Sequence, residues 1–264
     1  MDLLKKTLSA SVYDESSWIF LRPENKNRSK IKNAFIRLLR RRSLLLVKEY
    51  PFNLLTRENG EDWPMFGYTM IGTNRLSNIQ FCVGDILKHN VEGDFVECGV
   101  WRGGASIFAR AALDEYGGSN RTVWLADSFE GMPVRTAEDM SDPDLTNDGY
   151  LPVSLEQVKA NFARFDLLGD RVRFIKGWFG DTLPTAPIGK IAVLRLDGDY
   201  YSSTMAALNA LYDKVTNGGY IIIDDYNAFI SCKTAIAEFC NKRQINPTLQ
   251  EIDNMAVFWK KTAG

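Results

Sequence analysis

Residues 191–201 read IAVLRLDGDYY, an apolar run that stops at Asp197. Three other segments are built the same way. FVECGVWRGG at 95–104 carries Glu97, VWLADSFEG at 123–131 stops at Asp127, and YIIIDDYN at 220–227 stops at Asp224 and Asp225. A near-continuous apolar run marks a parallel strand whose two faces are both covered by helices. Open α/β sheets bind their ligands outside the carboxyl ends of such strands. Four carboxylate-bearing strand ends therefore describe one crevice, rich in hydrogen-bond acceptors and poor in donors. Such a crevice suits a cofactor with ribose hydroxyls and an ammonium group, together with a hard metal ion.

The chain around these segments alternates. FVECGV is followed by ASIFARAALDEYG, TVWLADSF by SLEQVKANFARFDLLG, IAVLRLD by SSTMAALNALYDKV, and GYIIIDD by CKTAIAEFCNKRQ. RVRFIKGWF reads as a further strand, and PTLQEID and MAVFWKK as two late ones. Strands alternating with helices predict an α/β, doubly wound, Rossmann-like sheet. Ahead of it, Leu76, Ile79, Val83, Ile86 and Leu87 recur at helical spacing. His89, the single histidine, falls at the expected C-terminal end of that helix, where the dipole favours it. Residues 1–66 are expected to form a helical N-terminal extension or arm and 67–264 the α/β domain. Within the extension, Ile31, Phe35, Leu38, Leu39 and Leu45 suggest an amphipathic helix in a basic run over 22–50, with ten basic and two acidic residues. A solvated helix face or packing arm accounts for this run. Binding of a phosphate-bearing substrate or acidic partner is the alternative.

Bulk composition narrows the function. The chain has 264 residues, 32 basic and 33 acidic, for a net formal charge of -1. This balance gives no drive toward nucleic acid or an anionic membrane. No apolar run approaches the roughly 20 residues needed to span a bilayer, and the N-terminus lacks a signal-peptide core, so a soluble, cytoplasmic protein is expected. The four cysteines, Cys82, Cys98, Cys232 and Cys240, form no CxxC pair and read as free thiols. One histidine excludes a multi-histidine zinc site and most Ser–His or Cys–His nucleophile pairs.

The individual residues carry more specific chemistry. The glycines of GVWRGG (99–104) let backbone approach a ligand, but the spacing is not the GxGxxG of dinucleotide enzymes, which argues against a dehydrogenase. Glu97 suits an ammonium group. Asp127 suits the two ribose hydroxyls of an adenosine, with a turn or cap as the alternative. Trp178, Phe179 and Asp181 in GWFGDTLP suit an adenine ring and its amino group, or simple packing. Asp197, Asp199, Asp224 and Asp225 form the sharpest group. Clustered carboxylates repel unless a cation or proton sits among them. Oxygen-only ligands favour Mg²⁺, Mn²⁺ or Ca²⁺ over zinc. Asp197 could then accept a proton as general base; Asp199 is alternatively a cap for the next helix. The connection over 130–154 carries six acids against one base, Arg135, and reads as a lid over the crevice or as a disordered loop.

Blocks in order along the chain, YTMIGTNRLSN, VECGVWRGGASIFARA, VWLADSFEGMP, VSLEQVKANFARF, GWFGDTLPTAPI, AVLRLDGDYYSSTM and GGYIIIDDY, resemble the macrocin O-methyltransferase family from about Tyr68 to Lys260. The resemblance implies a class I methyltransferase sheet and an enzyme that moves a methyl group from S-adenosylmethionine to a sugar hydroxyl of a natural product. It implies Mg²⁺, or Mn²⁺, at Asp197, Asp224 and Asp225, with Asp197 also the base. It implies cofactor contacts at Thr69, Met70, Glu97, Gly99, Ser106, Asp127, Ser128 and Asp181. Members of this kind resemble homodimers whose N-terminal segments reach the partner's site. Two positions depart from the family pattern: Tyr68 stands where an acid is common, and Cys98 where a hydroxyl residue is common. The expected acceptor is a deoxysugar or glycoside. Two other readings compete: a catechol-type O-methyltransferase acting on a phenolic diol, and a non-catalytic cofactor-binding or scaffold protein.

Overall fold

The computed structural model describes residues 1–14, 16–21, 30–146 and 148–262. Arg22, Lys26 and Arg28 of the basic run lie outside the described residues. The N-terminal extension is more than helical. It holds α1 (Asp2–Leu8), α2 (Lys30–Arg40) and α3 (Leu54–Glu58), but β1 (Ser17–Phe20) and β2 (Val47–Tyr50) also pair antiparallel in a small sheet. It is also not detached from the rest. Leu8 is fully buried in the main core, and its carbonyl accepts hydrogen bonds from the Tyr68 and Thr69 amides at 2.7 and 3.1 Å.

α4 (Gly72–Lys88) leads into β3 (Asp94–Cys98), α5 (Gly104–Glu115) and β4 (Val123–Asp127). α6 (Leu155–Arg164), β5 (Val172–Lys176) and the short α7 (Phe179–Thr182) follow. The chain ends with β6 (Ile191–Leu196), α8 (Tyr201–Leu211), β7 (Val215–Ile223), α9 (Ile230–Arg243), β8 (Gln250–Glu251) and β9 (Val257–Lys260). These seven strands form one sheet in the order β5-β4-β3-β6-β7-β9-β8. β3 to β7 run parallel; β9 runs antiparallel to β7, and β8 to β9. After β5 at one edge the chain crosses back to lay β6 beside β3. The gap between β3 and β6 is thus the topological switch point, where such sheets bind ligands.

Side-chain alternation divides the core into two layers. Phe95 and Val193 join Leu76, Ile79, Val83, Phe108 and Phe162 beneath α4, α5 and α6. Their sequence neighbours Val96 and Leu194 face the other way, among Leu208, Leu211, Ile236 and Phe239 of α8 and α9. This is why β6 is buried at all six positions and reads as a continuous apolar run. α4 ends with His89 as its C-cap, and Leu76, Ile79, Val83 and Ile86 lie on its buried side. In α2, by contrast, the expected stripe faces outward. Ile31, Phe35 and Leu38 are exposed and Ile36 is buried, while Leu45 lies exposed beyond the helix end. Cys82, Cys98 and Cys232 are buried free thiols, and Cys240 is half-buried. Among the described residues no helix is long and apolar enough to cross a membrane.

The close approach of β3 and β6 leaves no room for a side chain at Gly99. Its φ is +88°, and a Cβ built there would stand 1.7 Å from the Asp197 carbonyl oxygen. Gly99→Ala is expected to cost at least about 2 kcal/mol, from left-handed backbone strain and overpacking together. Urea denaturation checks it: an unchanged midpoint would contradict this contact.

Candidate active site

A cavity opens at the carboxyl ends of β3, β4 and β6. The turn after β3 supplies Gly99, Val100 and Trp101; β4 supplies Asp127 and Ser128; β6 runs out into Asp197, Gly198 and Asp199. Met70 lines it from the segment before α4, Trp178 and Phe179 from the start of α7, and Ser202 and Ser203 from α8. Of the residues singled out in the sequence, Met70, Gly99, Asp127, Ser128, Trp178, Phe179, Asp197 and Asp199 line this space. Thr69, Glu97, Ser106, Asp224 and Asp225 are buried outside its wall. Asp181 is exposed on α7, also outside it.

Asp127 is held on both oxygens. The Val100 amide donates to one at 2.7 Å and the Phe129 amide to the other at 2.7 Å. Burial pushes its pKa up, and these backbone donors oppose the shift. The Ser128 hydroxyl lies 3.4 Å from the oxygen that the Phe129 amide reaches, and the Trp101 amide also donates to the group. Asp127 therefore organises its own turn, as the alternative reading held, and still faces the cavity. The Ser128 hydroxyl donates to the Gly131 carbonyl at 2.8 Å, which starts the following segment on its path.

Behind the cavity wall lies a residue that the strand pattern concealed. Arg195 sits within β6, 1% exposed. Its Nη1 donates to Glu97 at 2.5 Å and to Asp197 at 2.8 Å, and its Nη2 donates to Asp224. The second oxygen of Asp224 accepts from Arg75 at 2.5 Å, and Arg75 Nε donates to Asp253 at 2.7 Å. Ser106 donates to the remaining oxygen of Glu97. Glu97 thus meets an arginine and a serine in the wall. Burial raises its pKa to about 7 against the pull of Arg195. For Asp224, burial alone would raise the pKa, but Arg195 and Arg75 outweigh it and hold the group below its usual value. The signal in the sequence was a charged residue inside IAVLRLD, since a charge is seldom buried without a partner.

Asp197, Asp224 and Asp225 converge at the tips of the paired strands β6 and β7. They can offer ligand oxygens that all lie within 4.8 Å of one another. Asp199 joins them: its backbone amide donates to Asp225 at 2.9 Å. Its φ of +56° turns the chain there, so Asp199 lines the cavity and does not cap α8. Burial and then neighbouring carboxylates drive the pKa of Asp199 up to about 8 and that of Asp225 well above its usual value. Burial lifts Asp197 to about 6, with Arg195 opposing. Two guanidiniums thus pair with Glu97, Asp197, Asp224 and Asp253, and Asp199 and Asp225 lie beside them. The oxygen-only donor set and the surplus negative charge fit a hard divalent cation held by Asp197, Asp224 and Asp225.

The acid-rich connection packs over this space. Gly131, Met132, Pro133 and Leu151 line the cavity. At its far end Tyr150 stacks on Trp63 of the N-terminal extension, 5.4 Å between centroids, and its carbonyl accepts from Trp101 Nε1 at 3.1 Å. Arg102 lies over Trp101, 4.2 Å from the ring, and donates to the Met65 and Gly67 carbonyls. Residues before 67 therefore help shape the site's rim.

A five-strand parallel run, an antiparallel β7–β9 pair and a switch-point cavity with Asp127 on the second strand define a class I, S-adenosylmethionine-dependent methyltransferase fold. The solved structure of the O-methyltransferase NovP matches with a TM-score of 0.84 and 41% identity, covering 99% of this chain and 98% of that one. The calicheamicin methyltransferase CalS11, 18% identical with a TM-score of 0.61 over 91% of this chain and 95% of that one, shares the fold. The model of the macrocin-O-methyltransferase (TylF) family matches residues 1–261, and the chain belongs to that family. Mycinamicin III 3''-O-methyltransferase of Micromonospora griseorubida is 41% identical over 100% of this chain and 96% of its own length. The 8-demethyl-8-(2,3-dimethoxy-alpha-L-rhamnosyl)-tetracenomycin-C 4'-O-methyltransferase of Streptomyces olivaceus is 50% identical over 77% of this chain and 79% of its own. The chain is an S-adenosylmethionine-dependent O-methyltransferase.

Arg195→Met would leave Glu97 and Asp224 buried with a lost partner. A loss of about 3–5 kcal/mol is expected in chemical denaturation, as for one side of a buried ion pair removed. A loss under about 1 kcal/mol would mean that the network contributes nothing beyond its packing volume.

Proposed function

We propose that this protein methylates a hydroxyl of a deoxysugar or glycosylated natural product, with a divalent ion, Mg²⁺ or Mn²⁺, at Asp197, Asp224 and Asp225. The observation that carries this reading is the meeting of Asp127, suited to a ribose, and Asp197, suited to a base, in one cavity backed by two further aspartates. The substrates of its relatives support the acceptor class. One relative is named for a mycinamicin, another for a rhamnosyl-tetracenomycin, and a third, from Streptomyces niveus and 47% identical over 78% of this chain and 80% of its own, for demethyldecarbamoylnovobiocin.

S-adenosylmethionine supplies a methyl carbon attached to a sulfonium, open to in-line displacement by an oxygen nucleophile, and an ion held by Asp197, Asp224 and Asp225 would lower the pKa of a hydroxyl beside it. The chain's own residues do the rest. Asp127, fixed by two backbone amides, receives the ribose hydroxyls, and Met70, Gly99 and Ser128 contact the same cofactor. Trp178 would flank its adenine, and Asp181, on the exposed side of α7, would take the amino group. Thr69, Ser106 and Glu97 set the shape of the wall behind its methionine end. Asp197 takes the proton from the acceptor hydroxyl, and the low-dielectric cavity holds both reactants within attack distance. We also infer a homodimer, with the exposed Ile31, Phe35 and Leu38 of α2 covered by a second copy; light scattering on the eluting protein tests it, and a monomer would sink it.

Two measurements test the chemistry. Calorimetric titration of S-adenosylmethionine and then Mg²⁺ into the wild type and into Asp224→Ala/Asp225→Ala should give cofactor binding to both and ion binding to the wild type alone. Absence of cofactor binding to the wild type would overturn the assignment of Asp127. Asp197→Asn should lower kcat by at least about 100-fold, the usual scale for a lost general base. Cofactor affinity should stay nearly intact. Mass-spectrometric assay of free deoxysugars, glycosides and catechols checks it. Catechol turnover without glycoside turnover would favour the phenolic reading, and full activity of the variant would eliminate the base.

A further inference from the structure

α8 and α9 begin where the strands bearing Asp197 and the Asp224–Asp225 pair end. A helix start leaves four amides without intrahelical partners, usually met by an N-cap side chain. Here the N-cap residues are Tyr200 and Phe229, and neither makes a side-chain cap hydrogen bond. The partners come from the connection over 131–153. Asp139 accepts from the Tyr201 amide at 2.9 Å. Asp142 accepts from the Ile230 amide at 2.9 Å and the Ser231 amide at 2.8 Å, one on each oxygen. The Tyr200 hydroxyl donates to the Pro143 carbonyl at 2.9 Å and accepts from the Leu145 amide at 2.8 Å. Asp139, Asp142 and Tyr200 are all buried. The same connection contributes Met132, Pro133 and Leu151 to the cavity wall.

We propose that Asp139 and Asp142 are positioning residues for the acceptor, fastening the connection over the cavity by capping the two helices that follow the aspartate-bearing strands. A carboxylate on free amides at a helix start is favoured by both hydrogen bonding and the dipole. Withdrawing it leaves a buried helix end without partners, so the closed position is held at its middle. The ends are held differently, by Ser128 on Gly131 and by the Trp63–Tyr150 stack. Asp139 also accepts from the Thr136 amide and hydroxyl, and so shapes its own turn. Both Asp142 oxygens serve α9, which makes Asp142 the cleaner test. The role in holding an acceptor rests on the methyltransferase reading; the closure itself does not.

Arg135 is the only lysine or arginine between 131 and 153, so trypsin can cut the connection only there. Its side chain donates to the Asp142 carbonyl at 2.8 Å, within the fastened region. Wild type, Asp142→Ala and Tyr200→Phe are digested, and the fragment ending at 135 is followed by mass. Cleavage there should accelerate about tenfold in Asp142→Ala, because proteolysis tracks the opened population and a lost cap shifts it by that order. Tyr200→Phe removes one hydroxyl without emptying the core and should accelerate the same cut by a smaller factor, which keeps the proposal testable if Asp142→Ala misfolds. Cleavage elsewhere and S-adenosylhomocysteine affinity should change less than about twofold. With an accepted glycoside, KM should rise more than kcat falls. Equal cutting at Arg135 in all three proteins, or equal acceleration at every site, would overturn the proposal. Failure of the wild type to bind S-adenosylhomocysteine would instead remove the methyltransferase reading and leave the digestion result standing.

Discussion

The site depends on one buried guanidinium. Arg195 lies in the middle of the sheet, where charge is expensive, and repays that cost only by bridging carboxylates on three adjacent strands, β3, β6 and β7. Without it, Glu97, Asp197 and Asp224 would meet across a gap too narrow for a side chain at Gly99. With it, the three carboxylates gather at the edge of the switch point, and Asp197 turns one oxygen to the guanidinium. Arg75 extends the same logic to Asp253, just before β9, so the C-terminal strands are tied to the site by charge as well as by the sheet.

The arginines leave the charge only partly balanced. The carboxylates nearest the cavity, Asp197 and Asp199, have raised pKa values, while Asp224, held between two guanidiniums, stays ionised. Acids of differing character at one point are what a site needs if it is to hold a cation and also receive a proton. The same strand ends launch α8 and α9, whose starts are completed by acids from the connection over 131–153. Strand tips, helix starts and cavity roof therefore form one mechanical unit, and a change in any of them is felt by the others.

The N-terminal extension belongs to this unit more than its sequence suggests. Leu8 enters the main core, and Trp63 stacks on Tyr150 at the roof's end. Arg57, also fully buried, donates to the Ser9 and Ala10 carbonyls and pairs with Asp62. Relatives that differ before residue 67 would therefore differ in the rim of the cavity while keeping its Asp127 side unchanged.

The strands, most helices and the acids at the strand ends were legible in the sequence. Burial on both faces writes itself as IAVLRL and YIII, and a helix writes itself as the spacing of Leu76, Ile79, Val83 and Ile86. These signals are local. What tertiary structure alone decided was where each charge goes. Of the five acids between 131 and 153, Asp139 and Asp142 turn inward to cap helices dozens of residues away, and nothing in their neighbours distinguishes them from solvated ones. Glu97, expected to face a ligand, is engaged by Arg195 and Ser106, because the parallel register brings Glu97 opposite Arg195. The β1–β2 pairing and the outward face of α2 were likewise invisible. The physical reason is common to all: apolar periodicity records only whether a side chain meets water, whereas a hydrogen bond or ion pair needs a specific partner, and that partner is chosen by the path of the chain through space.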